Sequence, residues 1–280
     1  MWRWAVLVPA LAISALLIRP ERVAPGVWAA RASSESTLSV MTFNILKGGR
    51  PASDALDAIA AARPDIVCLQ EMTAELAAEF ETRLGARYPY RLFRPNPNAQ
   101  GIGIASRYPL AGGKTDMLGL RFLPSLAVTV RAPSMAVRAV CVHLIPPQAG
   151  FRNSDDLWAT YQRNKALRLR QVANLLKLFD GPDRPAVIIG DLNEWPGQAA
   201  VAELVEAGFE DSCDAAGSRC GATWPGRLLP LPATFRIDYI LGRGVTFTDA
   251  ATLDAGGSDH YPVAAHFAIR PVETAQVKAH

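Results

Sequence analysis

The 280-residue sequence predicts a mixed α/β (α+β) fold: a four-layer sandwich of two mixed β-sheets with helices on the outer faces. Three observations carry this. From Thr37 onward, short apolar runs of strand character outnumber amphipathic helical stretches. Helices fall between some strands but not others, which argues against a regular alternating barrel or a doubly wound sheet. No repeat, linker or low-complexity tract interrupts residues 37–270, so the strands share one domain, followed by a short tail, residues 271–280. With 50% hydrophobic and 20% charged residues the composition is that of a globular protein.

The elements follow in order. "LSVMTFN" alternates and ends at Asn44, and "SDALDAIAAARP" then reads as a helix capped by Ser53 and stopped by Pro64. "DIVCLQE" is a continuous apolar run ending at Glu71, after which Thr73 caps a helix carrying Leu76, Phe80 and Leu84. "YPYRLFR", "GIGIASRYPL", "LAVTVRAP" and "MAVRAVCVHLIPP" read as antiparallel strands with short turns. A long helix is expected next, with Trp158, Tyr161, Leu169, Val172, Leu176 and Phe179 as its apolar stripe. Arg163, Lys165, Arg168 and Arg170 form its solvated face, and "GP" at 181–182 ends it. "PAVIIGDLN" delivers Asp191 and Asn193; a helix over Ala199 to Glu206, a cysteine loop, the strand "TFRIDYILG" and the final "HYPVAAHFAI" complete the chain.

Residues 1–36 differ from the rest. An uncharged apolar run from Trp4 to Ile18 lies between Arg3 and Arg19; it is shorter than the roughly 20 residues of a spanning helix and matches the core of an export signal. "WAARAS" offers cleavage after Ala30 or Ala32, far from that run, so a retained membrane anchor stays open beside a cleaved signal. Either reading puts the domain outside the cytoplasm, in the periplasm or exterior or on the outer face of the cytoplasmic membrane. Four Arg and two Glu lie in residues 1–36, leaving 25 basic against 24 acidic residues, so the domain lacks the overall basic excess of a strong duplex binder. Cys68 and Cys141 sit in apolar runs and read as small buried hydrophobes. Cys213 and Cys220, close together in "DSCDAAGSRCG", are placed for a bridge worth about 2.5 kcal/mol.

Six polar clusters stand where apolar strands run out: Asn44, Glu71, His143, Asp191 with Asn193, Asp238, and Asp259 with His260. An uncompensated carboxylate there costs several kcal/mol of burial, whereas strand ends present side chains to clefts. Carboxylates and amides without a cysteine partner suit a hard cation, Mg²⁺ or Mn²⁺, and two histidines among carboxylates suit phosphate chemistry. Ser258 and His260 stand only two residues apart in one turn, and there is neither a GxSxG elbow nor a Walker A sequence.

"MTFNILKGG", "DIVCLQE", "GIGIASRYPL", "VHL", "GDLNEWPG", "RIDYIL" and "GSDHYPV" resemble, in order, the motif set of the endonuclease/exonuclease/phosphatase superfamily, over residues 38–269. The resemblance implies a DNase I-like fold and a monomeric, metal-dependent hydrolase of phosphate-containing substrates. It makes Glu71 the main metal ligand, with Asn44 beside it and Asp259 joining them. Asp191 and Asn193 position the attacking water and the phosphoryl oxygens, His143 contacts phosphate, and Asp238 is the acid of "RID". Asp259 orients His260, which acts as general base or transition-state stabiliser, and whether Asp191 or the His260 pair takes the proton stays open. The resemblance leaves several substrates: a secreted nuclease, a phosphatase of polyprenyl pyrophosphate or a phospholipid phosphodiesterase. Outside the class stands a non-catalytic exported binding module. His143 stands where abasic-site endonucleases of the family carry tyrosine, which argues against intracellular DNA repair. "GATWPGRLLPLPATFRIDYIL" looks like a segment of membrane-bound bacterial members, and Trp224, Leu228, Leu229, Leu231 and Phe235 there would make a stiff apolar loop that seats a lipid chain or packs as a lid. Membrane association through residues 4–18 is the matching expectation.

Overall fold

A computed structural model describes residues 22–31, 37–45, 52–152, 156–179, 185–218, 220–226 and 232–269. The apolar run 4–18, Leu228, Leu229, Leu231, the "GP" at 181–182 and the tail lie outside the described residues.

In chain order the elements are α1 (Pro25–Ala29), β1 (Leu38–Asn44), α2 (Ala52–Ala62), β2 (Ile66–Gln70), α3 (Ala74–Leu84), β3 (Tyr90–Arg94), β4 (Ile102–Ser106), β5 (Leu110–Asp116), β6 (Ser125–Ala132) and β7 (Met135–His143). There follow α4 (Leu157–Leu176), β8 (Ala186–Asp191), α5 (Ala199–Glu206), β9 (Glu210–Asp211), α6 (Ser212–Ala215), β10 (Asp238–Arg243), β11 (Val245–Thr252) and β12 (Val263–Ile269). They form two six-stranded sheets, ordered β11-β12-β1-β2-β4-β3 and β5-β6-β7-β8-β10-β9. Each sheet holds one parallel pair, β1 with β2 and β7 with β8, among antiparallel ones, so both sheets are mixed, as expected.

Three apolar layers hold the sandwich. Val40, Ile66, Ile104, Val128, Ile189 and Phe267 fill the space between the sheets. Met41, Phe43, Leu56, Ile59 and Phe80 bury the outer face of the first sheet under α2 and α3, while Val140, Ile188, Val172, Leu175 and Leu204 do so for the second under α4 and α5. The central strands are buried on both faces and so read as continuous apolar runs.

The structure departs from expectation in four places. Cys68 and Cys141 are not free hydrophobes: they form a disulfide joining β2 to β7 across the inter-sheet core. Apolar flanks conceal such a bridge because its partner stands 73 residues away, on the other sheet. Cys213 and Cys220 are bridged as well.

The second departure is α4. The side chains it buries are Thr160, Asn164, Arg168 and Gln171 with Val172 and Leu175, whereas Trp158 is 67% exposed. The polar stripe faces inward because it binds a loop. Asn164 donates to the carbonyls of Pro146, Pro147 and Ala149. Gln171 accepts from the Ile145 amide, and Arg168 donates to the Ile145 carbonyl and to Glu194. Arg168 is thus fully buried in an ion pair, not on a solvated face.

Third, β11 is an edge strand whose "VTFTDAAT" had no expected element. Fourth, the segment read as leader and linker contributes packed structure. Val23 bridges to Leu253, and Trp28, 1% exposed, stacks on His266 with ring centroids 4.3 Å apart. A smaller difference concerns Ser53, which lies inside the first turn of α2, while Thr73 caps α3 as expected by accepting from the Leu76 amide.

Candidate active site

The six polar clusters meet at one end of the sandwich. His143, Asp191 and Asp238 are direct neighbours across β7, β8 and β10, because register pairs His143 with Asp191 and Asp191 with Asp238. β8 lies so close to β7 here that a Cβ on Gly190 would sit 2.0 Å from the Val142 carbonyl oxygen; only glycine fits before Asp191. From the facing sheet Asn44 reaches across, its Nδ2 donating to Glu71 Oε1 at 3.3 Å and to Asp191 Oδ2 at 3.1 Å.

Two of the residues hold unusual backbone. Glu71 (φ 61°) and Asn193 (φ 53°) both have positive φ, a conformation that costs roughly 1–3 kcal/mol for a non-glycine residue and concentrates at functional sites. Asn193 is fixed there by its own amide donating to Asp191 Oδ1 and its side chain donating to the Leu144 carbonyl. Next to it, Glu194 accepts from Arg168 and from the Ala200 amide at the start of α5, which ties the loop to two helices.

The acid that holds His260 is Asp238, whose Oδ2 lies 2.9 Å from Nδ1 of the ring. The expectation that Asp259 orients His260 is corrected on geometry. Adjacent residues on an extended turn point apart, and Asp259 instead accepts from the Trp224 indole at 3.2 Å. Gly226 makes this possible, since a Cβ there would meet the Asp259 backbone at 2.7 Å. Asp238 is in turn set by Thr223, whose buried Oγ1 accepts from the Ile237 and Asp238 amides. Arg236, the alternative partner for Asp238, pairs with Asp211. Ser258 donates to the Asn44 carbonyl and accepts from the His260 amide, a turn-forming role and not a nucleophile's.

Electrostatics separate the two histidines. Burial pushes the His143 imidazole down to about 3, with the charge of His260 adding to it, so His143 is neutral. Burial opposes charge on His260 too, but Asp238, Asp191 and Asp259 outweigh it and push the ring up to about 10; His260 is a cation. For Asp191, burial and then the nearby Asp238 charge push the carboxyl up, so this group holds a proton more readily than an ordinary aspartate.

Asn44, Glu71, His143, Asp191, Asn193, Asp259 and His260 line one cavity of about 370 Å³, with Asp238 behind His260. Its other wall is Pro146, Pro147, Trp195, Trp224, Phe235 and Ile237. A larger cavity of about 600 Å³ at the opposite end holds no comparable cluster, because its acid, Asp65, is occupied by Ser39 and Arg107.

The residues fit a divalent cation. Four carboxylates, Glu71, Asp191, Asp238 and Asp259, converge, and among the described residues lining the cavity His260 is the cationic side chain. Asp238 Oδ1 and Asp259 Oδ1 are buried without a hydrogen-bond partner. Asp191, Asp238 and His260 bring ligand atoms within 4.8 Å of one another. The His260 nitrogen facing Asp238 is committed to that acid, so a cation would be held by oxygens of Glu71, Asn44, Asp191 and Asp259.

The family model for "Endonuclease/Exonuclease/phosphatase family" matches residues 41–260. The chain belongs to this family. Family membership makes it a phosphoester hydrolase with the divalent-metal dependence general to the group, and the buried acidic cluster agrees. Its fold is shared by an endonuclease/exonuclease/phosphatase protein from Beutenbergia cavernae (23% identity, 84% of this chain and 72% of that one, TM-score 0.66). It is shared too by one from Bacteroides vulgatus (17%, 84% and 99%, 0.67) and by D. rerio TDP2 solved with a single-strand DNA product (19%, 83% and 99%, 0.66). No curated protein sequence matches.

Sequence reasoning missed Thr223, Glu194, Arg168 and the indole of Trp224. Thr223 and Trp224 precede a proline in "GATWPG" and Glu194 follows Asn193 in "GDLNEWPG", so proximity to a motif was the available signal.

Proposed function

We propose that this family member hydrolyses a phosphoester or phosphoanhydride bond of a lipid-linked phosphate, with Mg²⁺ or Mn²⁺, outside the cytoplasm. The observation that carries the substrate class is the division of the cavity: acids and imidazoles on one wall, Pro146, Pro147, Trp195, Trp224 and Phe235 on the other. A volume of about 370 Å³ suits a phosphate with the first part of an apolar chain. The two disulfides fit an oxidising compartment.

Glu71, Asn44 and Asp259 would hold the cation, which when bound would supply Lewis-acid charge stabilisation. Cationic His260, fixed by Asp238, is placed to donate to a phosphoryl oxygen rather than to accept a proton. That leaves Asp191, with its raised proton affinity, to take the proton of the attacking water, while Asn193 positions the water and neutral His143 the phosphate.

A nuclease is the second reading, because the same aromatic wall stacks a base and D. rerio TDP2 was solved with a DNA product. Near-neutral charge disfavours it. The test is phosphate release from a polyprenyl pyrophosphate beside plasmid nicking, each with and without Mg²⁺. Metal-dependent release is expected; nicking alone removes the lipid reading.

A further inference from the structure

We propose that the catalytic end of the domain docks on a phospholipid bilayer and that residues 4–18 remain on the mature chain to hold it there. The docking does not depend on turnover; only its purpose rests on the lipid-phosphate reading.

The path of residues 22–31 gives the orientation. Val23 donates to the Thr252 carbonyl and accepts from the Asp254 amide, and Thr252 pairs with Val263, the first residue of β12. Arg22 lies 3.7 Å over the Tyr261 ring, beside His260, and its Nη2 donates to the Ala222 carbonyl two residues from Trp224. These contacts are at the catalytic end. Trp28 stacks on His266, which pairs with Ser39, so the chain enters at the catalytic end and runs toward the opposite one. Ile18, the last residue of the apolar run, is four residues from Arg22 and reaches at most roughly 14 Å from it. An apolar run seated in a bilayer therefore keeps the catalytic end close to the membrane surface.

The same contacts argue for retention. Cleavage after Ala30 or Ala32 would remove Val23 with its two hydrogen bonds, and Trp28 with its place among Met41, Ala58 and Ala264.

The surface at that end suits a bilayer. Exposed apolar side chains stand on and near the cavity's apolar wall: Trp195 and Phe235 on the wall itself, Phe151 three residues along the chain from Gln148, and Leu157 and Trp158 in the first turn of α4, the helix whose Asn164 binds the Pro146–Ala149 loop. Leu157 is 58% and Trp158 67% exposed. Trp158 stacks on Tyr161, and the helix these residues start turns mainly polar side chains inward, so among the described residues neither Leu157 nor Trp158 joins the core. Arg152 and Arg163, both exposed, add charge attractive to anionic headgroups. Aromatic rings with one polar edge favour the headgroup layer.

The experiment uses the full chain, exported in bacterial cells, purified and reconstituted with vesicles of phosphatidylglycerol and phosphatidylethanolamine carrying brominated acyl chains. Intact mass is expected to include residues 4–18. Bromine quenching of tryptophan fluorescence is expected to decrease in Trp158→Phe and Trp195→Phe, and to be unchanged in Trp28→Phe. A mature chain beginning at Arg31 or Ser33, or quenching identical in Trp158→Phe, Trp195→Phe and wild type, would overturn the proposal. Phosphate release from a polyprenyl pyrophosphate carried in the vesicles is read in the same samples. Quenching as expected without release supports the docking and removes the lipid-phosphate reading, whereas release with unchanged quenching removes the docking and leaves that reading standing.

Discussion

Asp238 holds His260 through a 2.9 Å contact to Nδ1, while Asp259, its chain neighbour, accepts from Trp224 at 3.2 Å. The acid responsible for the imidazolium thus comes from β10, 22 residues away.

Asp238→Asn should therefore lower turnover about 10²- to 10⁴-fold, the usual contribution of a positioned acid–base group. It should also move the alkaline limb of the pH–rate profile, expected near 10 in the wild type, to lower pH. Asp259→Asn should leave that limb nearer its place. For stability the sign is the same: an imidazole raised from an unfolded value of about 6.5 contributes fully below that value, and the contribution is lost as pH rises toward about 10. Profiles of kcat for the two variants check this.

His143 gives the opposite sign. Its folded value near 3 means that the unfolded chain takes up a proton below roughly pH 6.5 that the folded chain refuses. Stability should fall as pH drops from 6.5 toward 3, and His143→Gln should flatten part of that fall. Urea midpoints at neutral and mildly acidic pH measure it.

The Arg168–Glu194 pair, both about 2% exposed or less, predicts a large cost for losing one partner. Arg168→Ala should destabilise by about 3–5 kcal/mol, because a buried carboxylate is left alone. It should also loosen the Ile145–Gln148 wall and raise KM. Arg168→Met with Glu194→Leu should recover much of the stability but not the KM. Thermal melts and steady-state kinetics separate the two effects.

Cys68→Ala with Cys141→Ala should cost about 4 kcal/mol by the chain-entropy estimate for a loop of this length. Unfolded, unreduced protein should contain no titratable thiol, since all four cysteines are bridged. Thiol titration before and after reduction checks the pairing.

The sequence made the sandwich legible because both-face burial turns β1, β2, β4, β7 and β8 into apolar runs and leaves polar residues at their ends. Asn44, Glu71, His143, Asp191, Asn193, Asp238, Asp259 and His260 were readable for that reason, and all gather at one end of the sandwich. Pairings were less legible. Which acid meets His260 depends on strand order, and the Cys68–Cys141 bridge on how the sheets stack. Helical periodicity misread α4, because Thr160, Asn164, Arg168 and Gln171 face inward to bind a loop, and an apolar stripe is not the only kind a protein buries. Residues 22–31 look like a linker since two apolar contacts, Val23 and Trp28, are too few to form a pattern.

The most direct test of the metal-dependent hydrolase is turnover of a soluble phosphodiester by the full chain, with Mg²⁺ and with chelator, in wild type and Glu71→Ala. Activity restored by Mg²⁺ is expected in the wild type, and about a 10³-fold loss in the folded variant, of the size seen when charge stabilisation at the reacting phosphate is removed. Chelator-resistant turnover, or near-wild-type turnover in Glu71→Ala, would contradict it.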